Sequence, residues 1–327
     1  MRLGLGGARA GVCILALLAT LGAAIAQPAR AYRVGVIYHG GPAVSAVEGL
    51  REGLRELGWE EGRHYALVPR DAKGDLTGVE TAARELERDK VDLIYAVTSG
   101  VTIAVKRATT RVPIVFYTGS DPVASGLVES FRKPGGRLTG THGQGVDLTA
   151  KRLELLKEIL PKLRRVVTFY NPDNHSSAQS VRNGRDAARR LNVDFVERQI
   201  RTAEDLRTGL HALRPGEVDA FFYVAGALVT SQTDAIIDTA RAKKLPTMFS
   251  ESSSVARGAL AAYGISYRAV GRLSAKQVQR VLQGTAAGEL PIEQLDKPHL
   301  ALNLRTAKAI GVTILPSALA RADEVIE

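Results

Sequence analysis

The sequence predicts an α/β protein built from two doubly wound lobes with a ligand cleft between them. Three observations predict this class. Strand-like and helix-like segments alternate along the chain, as parallel α/β architecture requires. The alternation breaks at a glycine-rich stretch, 135–145, and then begins again. The strand ends of both halves carry glycines, hydroxyls and aromatics, residue types that let backbone and small polar groups meet a ligand.

The elements follow in order. Arg33-Val-Gly-Val-Ile-Tyr38 reads as a buried strand. Val47, Leu50, Leu54 and Leu57 recur at spacings of three and four, so 45–57 is an amphipathic helix, stopped by Gly58. A strand at 65–68, a helix at 78–89, a strand at 91–97, a helix at 100–108 and a strand at 113–117 complete the first half. In the second half Leu153, Leu156, Ile159 and Leu160 mark a helix over 151–160. Strands at 165–170, 193–198, 220–224, 246–249 and 259–263 alternate with helices at 177–191, 203–213 and 231–243. A helix at 270–282, a strand at 300–302 and a short helix from Arg305 close the chain. These assign 27–140 to an N-terminal lobe, with a returning segment near 265–285. They assign 141–264 to a C-terminal lobe, with the tail 286–327.

The first 26 residues read as a cleavable secretory signal. Arg2 and Arg9 precede an uncharged run from Ala10 to Ala26 that closes on Ala24-Ile25-Ala26, a small-x-small cleavage pattern. The competing reading is a membrane anchor, for which the run is short against the roughly 20 apolar residues of a usual span. Cys13 is the only cysteine and lies early in the run rather than at its end, which argues against lipidation. The chain beyond it therefore has neither disulfides nor thiol chemistry. Formal net charge is +10, and without Arg2 and Arg9 it is +8. Cations spread over helix-like stretches, such as Arg182, Arg185, Arg189 and Arg190, read as solvated faces. Together with export, this argues against nucleic acid as a partner.

In open α/β sheets, ligands bind beyond the carboxyl ends of the strands. That rule selects Tyr38, His39, Gly41 and Ser45 after the first strand, and Thr98 and Ser99 after the third. It selects Tyr117, Ser120 and Asp121 after the fourth, and Asn171, Asp173, Ala225 and Glu251 in the second half. Taken singly, each also reads as a helix cap or a turn residue. Together they describe aromatic walls with a few polar anchors, which suit a small organic ligand. Catalytic patterns are poor. The six histidines form no metal-spaced pair, and there is no Gly-x-Ser-x-Gly elbow and no P-loop. No metal, cofactor or catalytic residue is expected.

The chain also carries long ordered stretches of a known family. They include Gly41-Pro-Ala-Val-Ser-Ala-Val-Glu-Gly-Leu-Arg-Glu-Gly-Leu-Arg-Glu-Leu-Gly58, Pro113-Ile-Val-Phe116 and Ser120-Asp-Pro-Val-Ala-Ser-Gly-Leu-Val128. Pro134-Gly-Gly136, Thr139-Gly140, Lys151-Arg-Leu-Glu-Leu-Leu-Lys-Glu-Ile-Leu-Pro161 and Asn171-Pro-Asp-Asn174 follow. Asn303-Leu-Arg-Thr-Ala-Lys308, Gly311-Val-Thr-Ile314 and Ala320-Arg-Ala-Asp-Glu-Val-Ile-Glu327 close the series. From Arg33 to Glu327 the chain resembles the ABC transporter substrate-binding proteins of the TrpX-like family, periplasmic binding proteins of type 1 fold. The resemblance implies two Rossmann-like lobes, a hinge and a central ligand cleft. It implies capture of a small organic solute, an amino acid or related compound among the candidates, and delivery to an ABC permease of the inner membrane with its cytoplasmic ATPase. Some relatives take aromatic amino acids. This chain departs from the common pattern at Thr98-Ser99-Gly100, where many relatives have Gly-Thr-Pro, and at Ala225-Gly-Ala-Leu228, where relatives often carry Asp or Pro. Both departures fall in the presumed cleft, so the ligand is not carried over. A receptor that senses rather than transports, or a secreted hydrolase or racemase on the same fold, are the alternatives. A repressor core of like fold is disfavoured because the first strand begins at Arg33 with no helix-turn-helix before it.

Overall fold

The computed structural model describes residues 30–295 and 297–327. The proposed signal segment and Cys13 lie outside the described residues. Residues 31–327 form one compact unit, and its strands are numbered here in chain order. The first sheet holds β1 (Tyr32–Tyr38), β2 (Tyr65–Asp71), β3 (Leu93–Val97), β4 (Ile114–Thr118), β5 (Leu138–His142) and β11 (Glu293–Gln294). Their spatial order is β11-β5-β4-β3-β1-β2, and every pairing is parallel.

The second sheet holds β6 (Arg165–Tyr170), β7 (Asp194–Gln199), β8 (Ala220–Phe222), β9 (Thr247–Phe249), β10 (Ala261–Gly264), β12 (His299–Asn303) and β13 (Glu324–Ile326). Their order is β13-β12-β10-β9-β8-β6-β7, parallel except for the antiparallel β10–β12 pair. Strands β3 and β4 are buried at every residue, and Val34, Val36 and Ile37 of β1 have no exposure. Continuous apolar runs of this kind are what a sheet covered by helices on both faces demands. The result is two doubly wound lobes, as predicted.

Among the described residues the chain passes between the sheets three times, at 143–147, at 265–266 and between β11 and β12. The glycine-rich stretch 135–145 is therefore not all crossing, because its middle is the fully buried strand β5. Local pattern hides this strand, whose residues are Leu-Thr-Gly-Thr-His. Thr139, Gly140 and Thr141 are bonded from far along the chain. Thr139 Oγ1 donates to the Leu290 carbonyl at 2.8 Å, and Gln277 Nε2 donates to the Gly140 carbonyl at 2.9 Å. Thr141 Oγ1 and Ser274 Oγ are hydrogen-bonded at 3.1 Å. The tail 286–327 is likewise divided rather than joined to one lobe: β11 extends the first sheet, and β12 and β13 extend the second.

The returning helix, Tyr267–Leu282, packs on helix Ser45–Glu56 in the first lobe. Its buried side includes Val270, Ala275, Val278 and Val281, one side of a 3.6-residue period. Among the described residues, no helix is long and apolar enough to cross a membrane.

Candidate ligand site

The carboxyl ends of β1, β3 and β4 face those of β6, β8 and β9 across a small cavity of about 60 Å3. The first lobe contributes His39, Thr98, Ser99, Tyr117, Gly119 and Tyr267. The second contributes Arg152, Asn174, Ser176, Tyr223, Ala225, Thr230 and Ser250, and Gly145, Val146 and Ile265 come from the crossings or their edge. The lobes touch around its rim. Gly41 lies against the Thr230 carbonyl and Gly74 against the Ser231 hydroxyl. A cavity of that size has room for about four waters at roughly 15 Å3 each.

Three tyrosines form the walls. Tyr117 and Tyr267 meet edge to face, with ring centroids 5.7 Å apart. Tyr223 is fixed by a 2.7 Å hydrogen bond between its hydroxyl and Thr230 Oγ1. Burial pushes the Tyr117 and Tyr267 phenols upward, so both stay neutral at physiological pH.

Arg152 is the charged group of the site and has no exposed surface. It sits on helix Leu148–Ile159, whose other buried residues are Thr149, Leu153, Leu155, Leu156 and Ile159. Its Nε donates to the Tyr263 carbonyl at 2.9 Å and its Nη2 to the Gly145 carbonyl at 3.3 Å. The guanidinium carbon is 5.8 Å from the centre of the Tyr223 ring, a cation–π contact. Burial lowers its pKa to about 10, which leaves it charged at neutral pH. No acid forms an ion pair with it among the described residues, and Nη1 has no partner at all.

Three more cavity residues hold buried polar atoms without partners: His39 Nδ1, Thr98 Oγ1 and Ser176 Oγ. Buried polar groups are nearly always hydrogen-bonded. Four such atoms lie on residues lining this cavity, two from each lobe. Thr98 also has a positive φ of 94°, a region that non-glycine residues avoid, which is the kind of strain that gathers at functional sites. His39 is buried and its pKa is pushed down to about 4 by loss of solvation, so it is neutral.

The residues selected from the sequence divide in two. His39, Thr98, Ser99, Tyr117 and Ala225 line the cavity. Tyr38 does not line it and is half-buried on the first lobe. Gly41 is part of the rim. Ser45 donates to the Pro42 carbonyl at 2.7 Å, a local turn. Ser120 is buried behind the wall, bonded to Ser99 Oγ at 2.8 Å, and ties the ends of β3 and β4 together. Asp121 Oδ1 accepts from the Val123 and Ala124 amides, and Asn171 Oδ1 accepts from the Asp173 amide, so both act as turn residues. Asp173 is exposed and paired with Arg201. Glu251 is buried beside the cavity and accepts the Tyr267 amide at 2.9 Å; loss of solvation raises its pKa to about 8.

The strand-end rule missed Arg152, Asn174, Ser176, Tyr223 and Tyr267. Asn174 and Tyr223 adjoin segments already selected. Arg152 lies mid-helix, where that rule does not look. A signal for it exists: Leu148, Arg152, Leu156 and Ile159 fall at helical spacing, so the arginine interrupts an apolar ladder.

Two covered sheets whose strand ends close on one buried aromatic cavity make a two-lobed ligand-binding protein. The chain belongs to the ABC transporter substrate binding protein family, whose model matches residues 33–326. It is similar to the tyrosine-binding protein of Clostridioides difficile (strain R20291), with 31% identity over 268 residues, 82% of this chain and 76% of that protein. Among solved structures it is similar to a conserved domain protein of Vibrio cholerae, with TM-score 0.81 and 26% identity over 90% of this chain and 99% of that one. An ABC domain from Streptococcus pneumonia in complex with L-Trp shares the fold, with TM-score 0.80 and 21% identity over 90% of this chain and 100% of that one.

Proposed function

We propose that this substrate-binding protein captures an aromatic L-amino acid, tyrosine or tryptophan, between its lobes. The observation that carries the reading is the unpartnered Nη1 of buried Arg152, a residue lining the cavity walled by Tyr117, Tyr223 and Tyr267. An unpaired buried cation is costly, and a ligand carboxylate would offset that cost with charge-assisted hydrogen bonds. The three rings would stack on an aromatic side chain. His39, Thr98, Ser99 and Ser176 would hold the remaining polar groups of the ligand. The relatives named for tyrosine, or solved with L-Trp, support the same class.

The ligand is bulkier than the cavity, so the lobes part to admit it and close by hinge motion. Membership of a substrate-binding family supports work outside the cytoplasm, and the basic and apolar first 26 residues would direct the chain to the periplasm as a cleaved signal. There it would hand its ligand to an inner-membrane permease driven by a cytoplasmic ATPase.

Thermal unfolding of the purified mature chain tests the ligand class. L-Tyrosine or L-tryptophan at about 100 times Kd should stabilise the fold by about 2.7 kcal/mol. Tyramine, which lacks the carboxylate, and L-lysine, which lacks the ring, should not. Stabilisation by L-lysine equal to that by L-tyrosine, or none by any aromatic amino acid, would refute the reading.

A further inference from the structure

Arg152 does more than face the cavity. Its two hydrogen bonds reach backbone on one crossing between the lobes and on the strand that leads into another. Gly145 belongs to the first crossing, 143–147, and Tyr263 is the penultimate residue of β10, two residues before the second, 265–266. The two carbonyls are 118 residues apart in sequence and share one planar guanidinium. The second crossing leads straight into Tyr267, a cavity wall whose amide is bonded to Glu251.

We propose that Arg152 is the positioning residue that couples capture of the ligand's anionic group to closure of the lobes. This rests on the proposed binding of an amino acid. The guanidinium is a rigid fork, so its edges cannot be oriented independently. Nε and Nη2 fix its plane to the first crossing and to the end of β10 before the second, and leave Nη1 as the edge free for a ligand. A carboxylate seated on Nη1 therefore selects the one hinge setting in which all three edges are engaged. In an opened protein the crossings rotate, Gly145 and Tyr263 no longer share a plane with the ligand, and the charge is left less well satisfied. Ligand affinity that differs between two hinge settings is what shifts their populations.

Arg152→Lys separates this role from simple charge attraction, because lysine keeps the cation but is a single point donor. The mature protein is studied by calorimetry with L-tyrosine, by small-angle X-ray scattering with and without saturating L-tyrosine, and by hydrogen exchange without ligand. In the native chain, L-tyrosine should reduce the radius of gyration. In R152K, L-tyrosine should still bind, weaker by roughly tenfold, but the contraction at saturation should be lost. Without ligand, amides in 143–147 and 263–267 should exchange faster in R152K than in the native chain, with exchange in β3 and β8 unchanged.

A full contraction of R152K at saturation would overturn the coupling and leave amino-acid binding intact. If the native chain binds neither L-tyrosine nor L-tryptophan, the proposed ligand fails instead. The ligand-free exchange then decides the clamp, and equal exchange at the two crossings in R152K and the native chain would overturn it. Arg152→Gln, which keeps hydrogen bonding without charge, should lose ligand-induced contraction and bind more weakly than R152K. Binding of R152Q equal to that of R152K would also count against the proposal.

Discussion

Gly49 packs so closely on Arg268 that a Cβ at Gly49 would lie 2.0 Å from the Arg268 carbonyl oxygen. Gly271 returns the arrangement, since a Cβ there would lie 2.0 Å from the Ala46 carbonyl oxygen. Two helices 210 residues apart in sequence are thus pressed backbone to backbone, and the second anchors the returning segment that leaves the cavity at Tyr267.

Gly49→Val and Gly271→Val should therefore be severely destabilising, by about 3 kcal/mol or more, because neither backbone can retreat from a covalent Cβ. Arg268→Ala removes only an exposed ion pair with Glu52 and should cost about 0–1 kcal/mol. Denaturant unfolding followed through Trp59, the only tryptophan and a stacking partner of Tyr32 in the first lobe, measures both. Equal losses for G49V and R268A would show that the helices can move apart.

Gly143 is placed to move a cavity wall. A Cβ there would lie 2.8 Å from Tyr117 Cε2 and 2.9 Å from its hydroxyl. Gly143→Ala should push the Tyr117 ring toward the cavity and weaken aromatic amino-acid binding by roughly tenfold, about 1.4 kcal/mol. Calorimetric titration checks it, with Tyr117→Ala as the larger loss. An unchanged Kd in G143A would mean that the ring yields without narrowing the site.

Much of this architecture was readable from the sequence because parallel strands buried on both faces are apolar runs, and their helices keep a clear 3.6-residue period. β6 shows this, with its observed bounds equal to the predicted ones. What escaped is what long-range contacts decide. β5 looks polar until Gln277 and Ser274 arrive from the returning helix to satisfy it. In the site, the strand-end rule found His39, Thr98, Ser99, Tyr117 and Ala225. It also collected Ser45, Asp121 and Asn171, whose side chains complete local turns. Helix N-caps, turns and ligand anchors use the same residue types, and only the fold separates them.

Two buried groups with large shifts, Glu251 and His39, contribute opposing dependences of stability on pH. Glu251 is raised from 4.5 to about 8, so between those values the folded state keeps a proton that the unfolded chain has released, and stability falls as pH rises. His39 is lowered from 6.5 to about 4, so between those values the unfolded chain holds the extra proton, and stability falls as pH drops. The two slopes oppose each other between 4.5 and 6.5, which predicts a plateau there. Above 6.5 only Glu251 acts, and stability should decline toward pH 8 at up to about 1.4 kcal/mol per unit. Glu251→Gln should remove that decline and, by leaving His39 unopposed, turn the plateau between 4.5 and 6.5 into a fall in stability as pH drops. Urea midpoints measured across this range decide it, and a decline persisting in E251Q would assign it to another group.

Thr98 joins strain to function. Its φ of 94° costs a side-chain-bearing residue on the order of 1–3 kcal/mol, a conformation glycine adopts freely. Its amide donates to the Tyr117 carbonyl at 3.0 Å, and its carbonyl accepts from Thr102 at the start of the next helix, so the backbone is held in place from both sides. Its hydroxyl meanwhile is an orphan at the cavity. Thr98→Gly relieves the strain and removes the unpaired hydroxyl, so the ligand-free protein should gain stability, by about 1 kcal/mol once glycine's greater unfolded entropy is set against it. If the hydroxyl serves the ligand, the same substitution should weaken L-tyrosine binding by several-fold, about 1 kcal/mol for one neutral hydrogen bond. Thermal unfolding with and without L-tyrosine reads both effects: T98G should melt higher than the native chain alone and gain less from the ligand. Undiminished stabilisation by L-tyrosine would show that the strained threonine serves the strand-to-helix junction rather than the ligand.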